Sequence, residues 1–213
     1  MPDEVEALYA VTRAETGLAA MSPAVRAALG AVERHRLVPP DQASWAYGNH
    51  PLPIGDGQTI SQPYIVAVCT ELIAPGPEHV VLEVGTGSGY QAAVLAAIVR
   101  RVYTIEIRAG LAREAQARLA ALGCGNVEVR VGDGYAGWPE KAPFDGIIVT
   151  AAVPRVPPAL VAQLKAGGRM VIPLGESFDI QTLTLIVKRA DGGCDERRVL
   201  PVRFVPLVPG AAC

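Results

Sequence analysis

Apolar residues recur at helical spacing through the first third of this chain and in short strand-like runs thereafter. Residues 4–19 and 23–35 carry helical stripes, and Ser22-Pro23 reads as a cap followed by a first helical residue. Residues 36–60 show no period. Pro39, Pro40, Gly48, Pro51, Pro53, Gly55 and Gly57 break any regular element there. Trp45, Tyr47, Leu52 and Ile54 argue that this long loop packs down on the body. A helix over 62–74 follows, with Ile65, Val68, Cys69 and Leu72 on one stripe. After Pro75-Gly76-Pro77 strands and helices alternate. The pattern predicts strand 80–84, helix 90–99, strand 101–106, helix 110–122 closed by Gly123, strand 127–131, strand 144–150, helix 157–165 ending at Gly167-Gly168, and strand 169–174. Strands 181–189 and 196–205 are joined by Asp191-Gly192-Gly193, a hairpin turn. The fold class is therefore α/β: a doubly wound, mostly parallel sheet with an N-terminal helical and loop extension and an antiparallel C-terminal strand pair. Residues 1–76 form the extension and 77–213 the core of one domain.

Composition narrows the partners. Half the residues are hydrophobic but only 5% are aromatic, so the core is aliphatic. The formal charge is −2, from 19 basic and 21 acidic residues, with no basic stripe to track phosphates. Nucleic acid is not an expected partner. Neither is a membrane, because charges interrupt every apolar stretch well short of a span. The acidic start Met-Pro-Asp-Glu-Val-Glu does not read as a signal peptide. Cys69, Cys124, Cys194 and Cys213 are scattered, as are His35, His50 and His79, which predicts no metal site. A cytoplasmic monomer is expected.

The chemistry begins at Val80–Tyr90. A buried strand empties into Gly85, Gly87 and Gly89, and a helix follows at once. That arrangement brings main chain close to a ligand at the end of a parallel strand. A dinucleotide site wants its third glycine at position 90, where this chain has Tyr90. The G-x-G-x-G spacing instead resembles the first motif of class I methyltransferases, which bind S-adenosylmethionine. This Rossmann-like resemblance makes Gly85, Thr86, Gly87 and Gly89 the cofactor loop. Glu106 ends the next strand and can accept both ribose hydroxyls. Asp133, followed by Gly134, ends the third strand and is placed toward the adenine amino group. Each has a plainer reading: Glu106 as a solvated strand end, Asp133 as a turn initiator. Glu83 is read as orienting the loop amides before contacting the methionine end.

The acceptor side lies in Pro51–Ala67, where Thr59 and Ser61 sit at the mouth of a helix. Ser61 before Gln62-Pro63 also fits a helix cap, and both readings stand. Ala46-Tyr47, Pro51–Gly55, Gly57–Pro63, Val81–Tyr90, Tyr103–Glu106, Gly132–Gly134, Phe144–Ala151 and Val202–Leu207 together closely resemble the protein-L-isoaspartate O-methyltransferase family over nearly the whole chain. The resemblance implies methylation of the α-carboxylate of L-isoaspartyl residues in damaged proteins and peptides, with repair through a succinimide. It implies Ser61 as the active-site hydroxyl, Thr59 and Ile60 beside it, and Val205, Pro206 and Leu207 against the substrate backbone. It also implies an adapted strand order at the C-terminal end of the sheet. Asn49 stands where many members carry Asp, so hydrogen bonds are kept there without a charge. The competing readings are a carboxyl methyltransferase dedicated to one peptide, a non-catalytic S-adenosylmethionine-binding protein, and a nicotinamide oxidoreductase. The intact loop, Glu106 and Ser61 disfavour them.

Overall fold

A computed structural model describes residues 1–176 and 179–210; Cys213 lies outside the described residues. Helices α1 (Pro2–Thr16) and α2 (Pro23–Ala31) open the chain. Ser22 caps α2 as expected, its hydroxyl accepting from the Val25 amide at 3.3 Å. The helical stripe breaks after Ala31, and Arg34–Leu37 forms a 3₁₀ turn instead.

The stretch read as irregular contains more structure than its prolines suggested. Pro40–Trp45 is a 3₁₀ turn, and β1 (Leu52–Gly55) pairs antiparallel with β2 (Gln58–Ile60). Asp56 and Gly57 join them, both at positive φ (52° and 69°), the geometry of a tight hairpin turn. Pro53 is tolerated because this two-stranded ribbon is all edge. Leu52 and Ile54 are buried as expected, but Trp45 and Tyr47 are exposed.

Helix α3 (Pro63–Leu72) leads to the main sheet of β3 (Val80–Val84), β4 (Arg101–Glu106), β5 (Val127–Val131), β6 (Phe144–Val149), β7 (Leu164–Leu174), β8 (Gln181–Lys188) and β9 (Cys194–Val202). The order is β5-β4-β3-β6-β7-β8-β9, parallel as far as β7, then antiparallel across β8 and β9. Helices α4 (Tyr90–Ala96), α5 (Ala109–Ala121) and α6 (Pro158–Gln163) make the connections. Alternate residues of each strand feed two cores, as a pleated strand requires. Val81, Ile148 and Val171 join the core packed against α1–α4, while Leu82, Val84, Ile147, Val149 and Met170 join the core on the other face.

The boundary between α6 and β7 also differs from expectation. Helix α6 stops at Gln163, and β7 starts at Leu164 opposite Phe144. The next pair is Gly146 with Arg169, so residues 165–168 loop out of the ladder. Gly167 and Gly168 mark that bulge inside a strand, not the end of a helix; Gly167 has φ 77°. Lys188 covers the end of α6, its Nζ donating to Val161 O (2.8 Å) and Leu164 O (2.7 Å).

Candidate active site

The winding reverses between β3 and β6, since β4 and β5 lie to one side and β7 to β9 to the other. Open α/β sheets bind ligands at this point, beyond the carboxyl ends of the strands. Two adjoining clefts lie there. The first is lined by Glu83, Gly85, Thr86, Gly87 and Glu106 from β3, β4 and the glycine loop, by Gly134, and by Ile60, Pro206 and Leu207. The second is bounded by Pro51, Gln62, Ile65, Ile180, Arg203 and Phe204. Thr59, Ser61, Thr150 and Val205 line both and so form the border between them.

The glycines of this loop work by lacking side chains, not by offering their amides. Gly85 and Thr86 donate to Ile105 O (2.8 and 3.1 Å), Gly89 donates to Thr86 O (2.8 Å), and Gly87 donates to Glu106 Oε2 (2.9 Å). A phosphate cradle needs such amides free, so this loop is unsuited to a pyrophosphate. Gly85 sits at φ 100°, and a Cβ there would collide with Thr150 Oγ1. Gly134 is needed for space: a Cβ would lie 2.5 Å from Val84 Cγ1 and 3.1 Å from Leu207 Cδ1.

Glu106 is only 7% exposed. Its Oε2 takes the Gly87 amide and its Oε1 the Arg108 amide at 3.0 Å. An ionised carboxylate has about four lone-pair sites, so two directions remain for hydroxyl donors. Two open acceptor directions for hydroxyls, glycines at 85 and 87, and loop amides already used at residues 85, 86, 87 and 89 fit a ribose-bearing ligand that lacks phosphate.

Glu83 is buried on β3. Thr104 Oγ1 donates to its Oε2 at 2.6 Å, and the Ala92 amide also reaches it. The Thr104 proton is thereby used, so Thr86 Oγ1, 2.7 Å away, donates to Thr104. Desolvation pushes the Glu83 carboxyl up to about 8; the hydrogen bonds from Thr104 and Ala92 oppose the rise, and neighbouring Glu106 adds to it. The folded value exceeds the unfolded 4.5, so the folded chain holds the extra proton between them. This contribution to stability is full below the unfolded value and is lost as pH rises through the folded one. We expect wild-type thermal stability to decline between about pH 4.5 and 8, by at most about 1.4 kcal/mol per pH unit from this group, and Glu83→Gln to flatten the decline. Equal slopes in melts of the two proteins would count against it.

Ser61 is not the cap of α3. That position is held by Gln62, whose side chain makes no cap bond. Asn49 supplies the missing acceptor from 15 residues upstream, its Oδ1 taking the Tyr64 amide at 3.0 Å. An amide oxygen does this as well as a carboxylate, which accounts for Asn at that position. The Ser61 hydroxyl has no partner among the described residues. Its carbonyl is held instead, accepting from Arg34 Nη2 at 3.0 Å.

Arg34 gave no signal in the sequence. Fully buried, its guanidinium also donates to the carbonyls of Ala46 and His50, the latter at 3.0 Å, and lies 5.3 Å from the centroid of the Tyr90 ring. It ties the substrate loop to the start of α4. Thr150 and Gln91 at the first cleft also escaped the sequence reading.

Two expected site residues are placed differently. Gly89 is the N-cap of α4 in the left-handed region and is not among the residues lining the first cleft. Asp133 does not line the cleft either; its Oδ1 accepts the Tyr135 amide at 2.8 Å, the turn geometry of the plainer reading. Val205, Pro206 and Leu207 are pinned by Ala152, which donates to Val205 O and accepts from Leu207 N, both at 2.8 Å.

A model of the protein-L-isoaspartate(D-aspartate) O-methyltransferase family matches residues 6–212. The chain belongs to this family. It is 58% identical over 207 residues to protein-L-isoaspartate O-methyltransferase 2 of Polaromonas sp. (strain JS666), covering 97% of this chain and 98% of that one. Identity to the Syntrophobacter fumaroxidans protein of the same name is 55% over 210 residues, covering 99% and 85%. Among solved structures, a protein-L-isoaspartate O-methyltransferase superposes with a TM-score of 0.82 at 28% identity over 97% of this chain, which spans 65% of that protein's length. A Plasmodium falciparum protein in complex with S-adenosyl-L-homocysteine shares the fold, with a TM-score of 0.79 at 23% identity over 97% of each chain. In this chain β8 and β9 follow in sequence as a simple antiparallel hairpin beside β7.

Proposed function

We infer that this protein is an S-adenosylmethionine-dependent enzyme that methylates the α-carboxylate of L-isoaspartyl residues in damaged proteins and peptides. The observation that carries the reading is the pair of clefts sharing Thr59, Ser61, Thr150 and Val205 in a chain of this family. In it the first cleft takes the cofactor and the second the peptide.

S-adenosylmethionine, when bound, supplies an electrophilic methyl group and a neutral thioether leaving group. The chain's own residues have mainly to bind and align. Glu106 would accept the ribose hydroxyls. The glycine loop lets the ligand approach β3, and Gly134 with Leu207 would flank the adenine end. An α-carboxyl group has a reference pKa of about 3.5, so the acceptor is ionised at neutral pH without a general base. Ser61 can turn its unpartnered hydroxyl toward that carboxylate and aim one oxygen along the transfer line. A neutral donor suits this task, because a cation would stabilise the carboxylate more before transfer than during it. Pro51, Ile65, Ile180 and Phe204 would receive the peptide's side chains, and Val205–Leu207 its backbone. In the methyl ester product, the following backbone amide nitrogen attacks the ester carbonyl and methanol leaves. Hydrolysis of the resulting succinimide returns part of the material as normal aspartate.

The reading includes one methyltransferase domain, with 1–76 carrying the substrate loop and 77–213 the cofactor core. It also includes a cytoplasmic monomer, to which the free thiols of Cys69, Cys124 and Cys194 are suited. No helix among the described residues is long and apolar enough to cross a membrane. Methyl transfer from labelled S-adenosylmethionine to a synthetic isoaspartyl peptide, beside its aspartyl twin, tests the function. Labelling of the isoaspartyl peptide alone is expected. Equal labelling of the twin would point to an aspartate methyltransferase, and labelling of neither would overturn the reading.

A further inference from the structure

Thr150 stands at the border of the two clefts, and its hydroxyl can face them in only one chemical sense. The residue directly follows β6, beside the end of β3. Its amide donates to Val84 O at 2.9 Å, which fixes the backbone. Its side-chain oxygen donates to Gly85 O at 2.6 Å and lies 3.0 Å from Val84 O. A hydroxyl has one proton, and this one is committed to the carbonyls of the glycine loop. Thr150 lines both clefts, and no described residue donates to its Oγ1, so any contact this oxygen makes there is through its lone pairs. Ser61 on the same border differs: its proton is free. One border hydroxyl can only accept, and the other can donate. The first suits an electron-poor group, the second an anion.

We propose that Thr150 Oγ1 accepts C–H···O contacts from the sulfonium methyl group and so holds the carbon that is transferred. This rests on the reading of the first cleft as the S-adenosylmethionine site. Ordinary C–H···O contacts are weak. A methyl group on a sulfonium is polarised by the positive charge, which makes its hydrogens better donors than those of an alkyl chain. An acceptor-only oxygen would also repel a carboxylate, so it leaves Ser61 as the hydroxyl that meets the substrate. Thr150 is thus assigned as a catalytic residue, beyond its evident use as a strap on Gly85.

The strap and the acceptor are separable, because S-adenosylhomocysteine lacks both the methyl group and the charge. Affinities for S-adenosylmethionine and S-adenosylhomocysteine, measured by calorimetry without peptide, should be compared in wild type, Thr150→Val and Thr150→Ser. Losing a strap weakens both ligands alike. Losing the acceptor should weaken S-adenosylmethionine about three- to tenfold more than S-adenosylhomocysteine in Thr150→Val, with the wild-type ratio restored in Thr150→Ser. An unchanged ratio in Thr150→Val, or a Thr150→Ser ratio like that of Thr150→Val, would overturn the proposal. If wild type binds neither ligand, the reading of the cleft fails instead. Should Thr150→Val not fold, wild type still decides the matter through S-adenosylmethionine labelled with ¹³C in its methyl group. A downfield shift of the bound methyl protons supports the contact, and its absence overturns it.

Discussion

Ser61→Ala is expected to cut turnover on an isoaspartyl peptide about ten- to a hundredfold, with folding and S-adenosylhomocysteine affinity near wild type. The structure makes this a clean experiment. Removing a true helix cap costs about 1 kcal/mol of stability, but α3 is capped through Asn49 and Gln62 holds the cap position. Arg34 binds the backbone carbonyl of Ser61, which any side chain leaves in place. The loss should therefore fall on the methyl transfer step. Ser61→Asp should be worse than Ser61→Ala, because a second negative charge would face the substrate carboxylate on the border of the clefts. Steady-state kinetics of the three proteins, with melts alongside, checks the order. If Ser61→Asp were as active as wild type, Ser61 would not meet the carboxylate, and Thr59 would be the next hydroxyl to examine.

Glu106→Ala should weaken S-adenosylhomocysteine binding by about a hundredfold or more. Two charge-assisted hydrogen bonds to the ribose, at about 1.5–3 kcal/mol each, set that scale. The substitution also orphans the Gly87 and Arg108 amides, which loosens the loop. Part of the loss is then indirect, and a double-mutant comparison separates it. In wild type, a 2′-deoxy analogue of S-adenosylhomocysteine should bind at least tenfold more weakly than the parent. In Glu106→Ala the two ligands should bind alike. A penalty for the missing hydroxyl that persists in the variant would remove Glu106 from the ribose site.

The cofactor half of the site was readable because its signals are local. A strand, three glycines and a helix are contiguous in Val80–Ala96, and Glu106 lies at the end of the next strand. The hairpin at Asp56-Gly57 was equally local, yet Pro51 and Pro53 masked it, since prolines usually exclude a strand. The start of β7 was hidden for another reason. Gly167 and Gly168 carry the same signal whether they end a helix or bulge a strand, and the pairing of Leu164 with Phe144 decides between them. Asp133 shows a different limit. Its position after a strand suggested a ligand contact, and only the folded chain shows that its Oδ1 also closes a turn onto Tyr135.

Sequence alone determined the α/β alternation, the glycine loop that cannot serve a dinucleotide, the C-terminal hairpin and the residue types at the acceptor side. These follow from periods and spacings within a dozen residues, where chain geometry leaves few alternatives. Only the tertiary structure decided how each polar group is used. It gave the loop amides to Ile105 and Glu106, the α3 cap to Asn49, the Ser61 carbonyl to Arg34 and the Thr150 proton to Gly85. A hydroxyl or an amide has the same composition whether it is free or bonded. Its availability depends on partners up to 65 residues away, brought near only when the sheet assembles.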